Sequence, residues 1–344
     1  MLRISACNAV APALYIMGSS LVDVGNNNYL PLSTARANFR HNGVDYPNGP
    51  TGRFGNGEIA SDFIAKKMGL PTSSPYLSLT GGAMPPITGV NFASGGSGIL
   101  NETGQRYVQV ISLAQQIEYF SLVRDKLVQQ LGPSDAQVHL SKSIFMIVIG
   151  NNELINYYTA GSQIPLRYSP QQYINLMLST FKGLLKNLHG LGARKILVSG
   201  VATVGCYPAQ RRTNVNGKCN DEANFWSNKY NDGLKVMLKE LKSESLGLNY
   251  AYFELYGAFI SLFQTPNAYG FTDTKAACCG LGYLNADAPC IPTSSYCSNR
   301  RNYIFWDFLH PTEAVASMFS DLMYNGTPPY MVPINLKQLI DVEG

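Results

Sequence analysis

Charge is scarce in this chain. Only 14% of its 344 residues are Asp, Glu, Lys or Arg, the formal net charge is +4, and no basic cluster is longer than Arg211-Arg212 or Arg300-Arg301. Nucleic-acid binding needs a basic stripe or a recognisable module, and the sequence offers neither. Long apolar runs are missing as well: no stretch approaches the ~20 residues that span a bilayer. There is no internal repeat and no low-complexity segment, which sets aside solenoids and disordered arrays. The seven cysteines contain no Cys-x-x-Cys, so the ligand spacing of a zinc site is lacking. No metal or organic cofactor is implied. Histidine is rare too, at four residues, which narrows the search for a general base.

What is present is a 45% hydrophobic chain, enough for one large core. A single domain over 1–344 is expected, with its core at about 13–324. Apolar strand candidates lie at 13–17, 90–92, 144–149, 195–199 and 250–253. Helical periodicity runs through 59–68, 112–131, 170–188, 222–246 and 312–324, with Ser169-Pro170 as a start signal and Gly190 as a stop. Strands separated by long helices imply right-handed crossovers and a parallel sheet. The expected fold is therefore an α/β three-layer sandwich with a five-stranded parallel sheet, flavodoxin-like in arrangement. The Gly/Pro-rich stretches 42–57 and 70–86 read as long surface loops near the active edge.

The first strand carries the most informative segment, Tyr15-Ile16-Met17-Gly18-Ser19-Ser20-Leu21, followed by Val22-Asp23-Val24-Gly25-Asn26-Asn27-Asn28. An apolar run ends at a glycine and delivers a serine to the carboxyl end of a strand, the edge where open α/β sheets bind ligands. Near the other end, Asp307 and His310 stand three residues apart in Trp306-Asp307-Phe308-Leu309-His310-Pro311. A serine hydroxyl needs an imidazole to take its proton, and that imidazole needs a carboxylate to fix its tautomer. The other histidines fit a base poorly: His41 sits in a Gly/Asn/Pro-rich loop, His139 in a polar connection, and His189 at a helix end.

Two further blocks, Gly89 to Gly98 and Ile144 to Glu153, are strands running into a glycine turn and into Gly150-Asn151-Asn152-Glu153. The backbone N–H groups of Ser20 and Gly96 and the side chain of Asn152 would give three donors for an oxyanion hole. With these blocks in order, the chain resembles the SGNH, or GDSL, esterase/lipase family, in its plant-type secreted branch, from Tyr15 to about Tyr324. The resemblance implies Ser20 as nucleophile, His310 as base, Asp307 as its carboxylate, and Ser20, Gly96 and Asn152 as oxyanion donors. It implies hydrolysis of small-molecule or lipid esters by a monomer. Two positions depart from the family pattern: Ser19 replaces the Asp before the nucleophile, and Glu153 replaces the Asp after the oxyanion Asn. Ser19 would then accept the N–H bonds of the turn without a charge. Acyl transfer by the same residues is the rival within enzymes, and a silent binding protein the rival outside them.

The cysteines lean toward an oxidising compartment. Cys206 and Cys219 flank a polar loop, and a bridge there would contribute roughly 3 kcal/mol. Cys278 and Cys279, adjacent in sequence, should each pair with one of Cys290 and Cys297, and Cys7 is left over. Asn101 and Asn325 begin glycosylation acceptor triplets. An extracellular protein is therefore expected, although residues 1–10 lack the charged and apolar regions of a signal peptide.

Overall fold

The computed structural model describes residues 10–79 and 83–343. All five expected strands form: β1 Leu14–Gly18, β3 Val90–Asn91, β4 Ile144–Val148, β5 Lys195–Ser199 and β6 Asn249–Phe253. Two edge strands of two residues, β2 Ser74–Pro75 and β7 Met331–Val332, extend the sheet to seven in the order β7-β6-β5-β4-β1-β3-β2. All neighbours are parallel except β7, which runs antiparallel to β6 through Met331–Phe253 and Val332–Tyr252. Strands this short, one of them containing a proline, carry no alternation to read in the sequence. The central β1 and β4 are buried at every residue, which is why they read as unbroken apolar runs and not as alternating ones.

Helices cover both sides of the sheet. The expected ones are α1 Ala60–Lys67, α2 Leu113–Leu131, α5 Pro170–Gly190, α6 Asp221–Glu244 and α8 Glu313–Asn325. Their starts have local causes. The Ser112 and Ser169 hydroxyls accept the N–H groups of Gln115 and Gln172 in capping boxes, and the Asn220 side chain accepts that of Ala223. Helix α5 packs on α2 and α6, while α1 packs on α8. Among the described residues, four helices longer than a single turn escape the periodicity: α3 Pro133–Lys142, α4 Asn151–Tyr157, α7 Leu255–Gln264 and α9 Leu336–Asp341. Gly132-Pro133 looks like a break, but proline is at home in a first helical turn, so it opens α3. His139 therefore lies on a helix and not in a connection, its Nε2 3.3 Å from the Tyr15 hydroxyl.

Three disulfides are present. Cys206 pairs with Cys219, Cys278 with Cys297 and Cys279 with Cys290, so the adjacent cysteines do take separate partners. Cys7 lies outside the described residues. Asn101 and Asn325 are both exposed. Among the described residues, no helix is long and apolar enough to cross a membrane.

Candidate active site

The site forms at the carboxyl edge of β1 and β4, where the chain must turn sharply. Gly18 ends β1 with φ +151, and a Cβ there would collide with the Val148 carbonyl of β4. The Gln116 side chain pins this residue by accepting its N–H at 2.8 Å and donating to its carbonyl at 2.9 Å. Ser20 follows in the turn.

The Ser20 hydroxyl lies 2.8 Å from His310 Nε2. His310 Nδ1 is 2.8 Å from both carboxylate oxygens of Asp307. A carboxylate only accepts, so Nδ1 carries the proton and Nε2 is free to accept from Ser20. Asp307 Oδ1 also accepts the backbone N–H groups of Leu309 and His310, both at 2.8 Å. The three-residue spacing thus folds into a turn closed by its own carboxylate. The next-door backbone is anchored as well, with Trp306 N–H donating to the His310 carbonyl at 2.8 Å. Ser20, Asp307 and His310 are all buried, each less than a tenth exposed.

Gly96 and Asn152 sit on the wall of the same cavity, which has a volume of about 180 Å³ and also holds Ser20 and His310. The Asn152 amide donates one N–H to the Ser97 carbonyl at 2.8 Å, which leaves its second N–H for another acceptor. Gly96 has φ +83, and a Cβ there would lie 2.5 Å from the Tyr107 ring, so this turn tolerates only glycine. All five expected site residues are therefore brought together.

Sequence reasoning missed the polar lacing beneath them. Asp23 is fully buried and accepts the N–H groups of Gly25 at 2.7 Å, Asn26 at 2.8 Å and Gly95 at 2.9 Å. Asn26 donates to the carbonyls of Asn91 and Ala93, and Asn27 to those of Ala35 and Gly95. These bonds tie the Ser20 turn to the Gly95-Gly96 turn. The run of asparagines after Gly25 was the available signal. Ser19 does not play the part expected of it. Its bonds in the turn are backbone ones, its N–H to Val148 and its carbonyl from Val22, because Asp23 already takes the N–H groups.

Glu153 is fully buried. Its Oε1 accepts from the Thr103 hydroxyl at 2.8 Å and from Leu100 N–H at 3.2 Å, and its Oε2 has no partner among the described residues. Burial pushes its carboxyl above the usual range. The loop over 42–57 does reach the site, since Phe54 packs 5.1 Å from the His310 ring and Asn42 lines the cavity. Of the stretch 70–86, the described residues 70–79 and 83–86 do not line it. Its Tyr76 stacks on Tyr119 beside the sheet edge instead, because β2 draws this segment along β3. More of the cavity wall comes from Thr34, Ala35, Arg36, Ala37 and Phe39 and from Pro289, none of which stood out in the sequence, and from Cys290, which stood out only as a disulfide candidate.

A family model described as GDSL-like Lipase/Acylhydrolase matches residues 14–323. The chain is 46% identical over 342 residues to GDSL esterase/lipase At5g55050 of Arabidopsis thaliana, a match covering 96% of this chain and 90% of that protein. It is 38% identical over 342 residues to GDSL esterase/lipase At3g50400 of Arabidopsis thaliana, covering 96% of this chain and 91% of that one. GDSL esterase/lipase At1g71250 of Arabidopsis thaliana is 36% identical over 335 residues, covering 96% and 89%.

Proposed function

This chain belongs to the GDSL-like lipase/acylhydrolase family and is a carboxylic ester hydrolase, and from that premise we propose that Ser20, His310 and Asp307 carry its chemistry. The observation that supports this reading is the unbroken run of 2.8 Å contacts from Asp307 through the His310 ring to Ser20. Ser20 Oγ attacks the ester carbonyl carbon while its proton passes to His310 Nε2. Asp307 holds the Nδ1 proton and stabilises the imidazolium that results. The oxyanion takes the N–H groups of Ser20 and Gly96 and the spare N–H of Asn152, each such donor being worth about 3–4 kcal/mol. Collapse expels the alcohol with the His310 proton and leaves an acyl group on Ser20. Water repeats the steps and releases the acid.

The 180 Å³ cavity is smaller than the ~300–1,000 Å³ of drug-sized ligand sites. Its size favours a short acyl group or a small alcohol portion, with any longer chain lying outside. All the working groups come from one chain, so a monomer suffices. We place the protein in an oxidising, extracellular compartment, a reading supported by three disulfides and by the exposure of the acceptors Asn101 and Asn325.

Turnover of a short-chain nitrophenyl ester tests the reading. Asp307→Asn should fold normally and lower kcat by about four orders of magnitude, as loss of the correct tautomer does in serine proteases. A folded variant with kcat within a few-fold of the parent would remove Asp307 from the mechanism.

A further inference from the structure

A second, much smaller cavity touches the same reacting groups. It has a volume of about 10 Å³ and is lined by Ser19, Ser20, Asn151, Asn152, Tyr207 and His310, with Leu21, Ile155 and Leu309 as its apolar wall. That volume is about one water. Two polar groups on its wall are left over by the fold. Asn151 Oδ1 accepts Ala202 N–H at 2.9 Å and faces the Tyr207 hydroxyl at 3.4 Å, while its Nδ2 is buried without a partner among the described residues. Ser19 is 2% exposed, its backbone groups are paired within the sheet edge and turn, and its hydroxyl is spare. A buried N–H without a bond, as at Asn151, is costly, and a water that accepts it while bonding the Ser19 hydroxyl would remove the cost.

We propose that this cavity stations the water that deacylates the enzyme, with Ser19 and Asn151 as its positioning residues. The inference rests on the proposed Ser20 acyl-enzyme. Once the acyl group is on Ser20, the water donates one proton to His310 Nε2 and its oxygen bonds to the acyl carbon. The tetrahedral species then breaks the bond to Ser20 Oγ, which takes the proton back from His310, and the acid leaves. At about 10 Å³ the cavity has the size of a water and not of a water enlarged by the carbon of an alcohol. The chain is thereby biased to hydrolysis over acyl transfer, and Ser19 acquires a role as a water ligand.

The test is product partitioning from a short-chain nitrophenyl ester with added ethanol, run beside the rate at which an organophosphonate modifies Ser20. Ser19→Ala removes one bond to the water. Ser19→Thr keeps the hydroxyl and adds a methyl to the cavity. Asn151→Asp keeps the bond from Ala202 and removes the spare N–H. Ser19→Ala and Asn151→Asp should each raise the ratio of ethyl ester to acid by about tenfold, the loss of one good hydrogen bond, and Ser19→Thr should raise it because its methyl takes the space of the water, while the phosphonylation rate stays within two-fold (roughly the scatter of a neutral change). An unchanged product ratio in all three variants overturns the proposal. So does a phosphonylation rate that falls as far as hydrolysis, since these positions would then be acting on the nucleophile. If the parent protein itself is not phosphonylated on Ser20, the acyl-enzyme reading fails first and the water site fails with it.

Discussion

Asp23 shows how much of the candidate site is held by residues with no proposed part in the chemistry. Three residues beyond Ser20, it is fully buried and gathers N–H groups from two turns. Burial outweighs those bonds and pushes its carboxyl up to about 6 from 3.8. The folded protein therefore binds this proton more tightly than the unfolded chain. Its contribution to stability is full below the unfolded value and is lost as pH rises through the folded one. Urea unfolding of the parent and of Asp23→Asn should show their stability difference falling by up to about 3 kcal/mol between roughly pH 4 and pH 7. A difference independent of pH would mean that Asp23 titrates as it does in the unfolded chain. Ser20, Asp307 and His310 were legible in the sequence because the proton transfer proposed for them restricts the residue types that can perform it. Asp23 was not, since a lone Asp in a turn has many ordinary uses. The family resemblance drew attention to Ser19, whereas the carboxylate that accepts the turn's N–H groups sits four positions later, at Asp23.

Among elements, the sheet strands and long helices were readable because each buries a continuous run or stripe. Short or irregular pieces were not: α3 hides behind Gly132-Pro133, and α4 is only seven residues long. The loop over 42–57 reaches the site through Phe54 and Asn42. It is fastened by Arg53, whose Nε and Nη2 each donate to Asp62 of α1 at 2.8 Å, with both side chains almost wholly buried. The next residue, Phe54, packs on the His310 ring. Removing one partner of a buried pair leaves a charge without compensation. Asp62→Ala should therefore destabilise the protein by about 3–5 kcal/mol in thermal or denaturant unfolding, and should lower turnover as Phe54 loosens. Unchanged stability would show that solvent reaches Arg53 and that the loop is held by something else.

Over the whole molecule, the fold makes one site from segments that share no local sequence. Ser20 and His310 are 290 positions apart, and Gly96 and Asn152 come from two other crossovers of the parallel sheet. The Cys279–Cys290 bridge joins the same assembly: Cys279 N–H donates to the Trp306 carbonyl beside Asp307, and Cys290 lines the cavity. The proposed nucleophile, built in this way, exists only in the folded chain. The most direct measurement is covalent labelling by an organophosphonate, with the adduct mapped by peptide mass analysis. Native protein should carry a single adduct on Ser20, and neither urea-unfolded protein nor folded His310→Ala should be labelled. An adduct on Ser19 or any other serine, or equal labelling of folded and unfolded chains, would contradict the account.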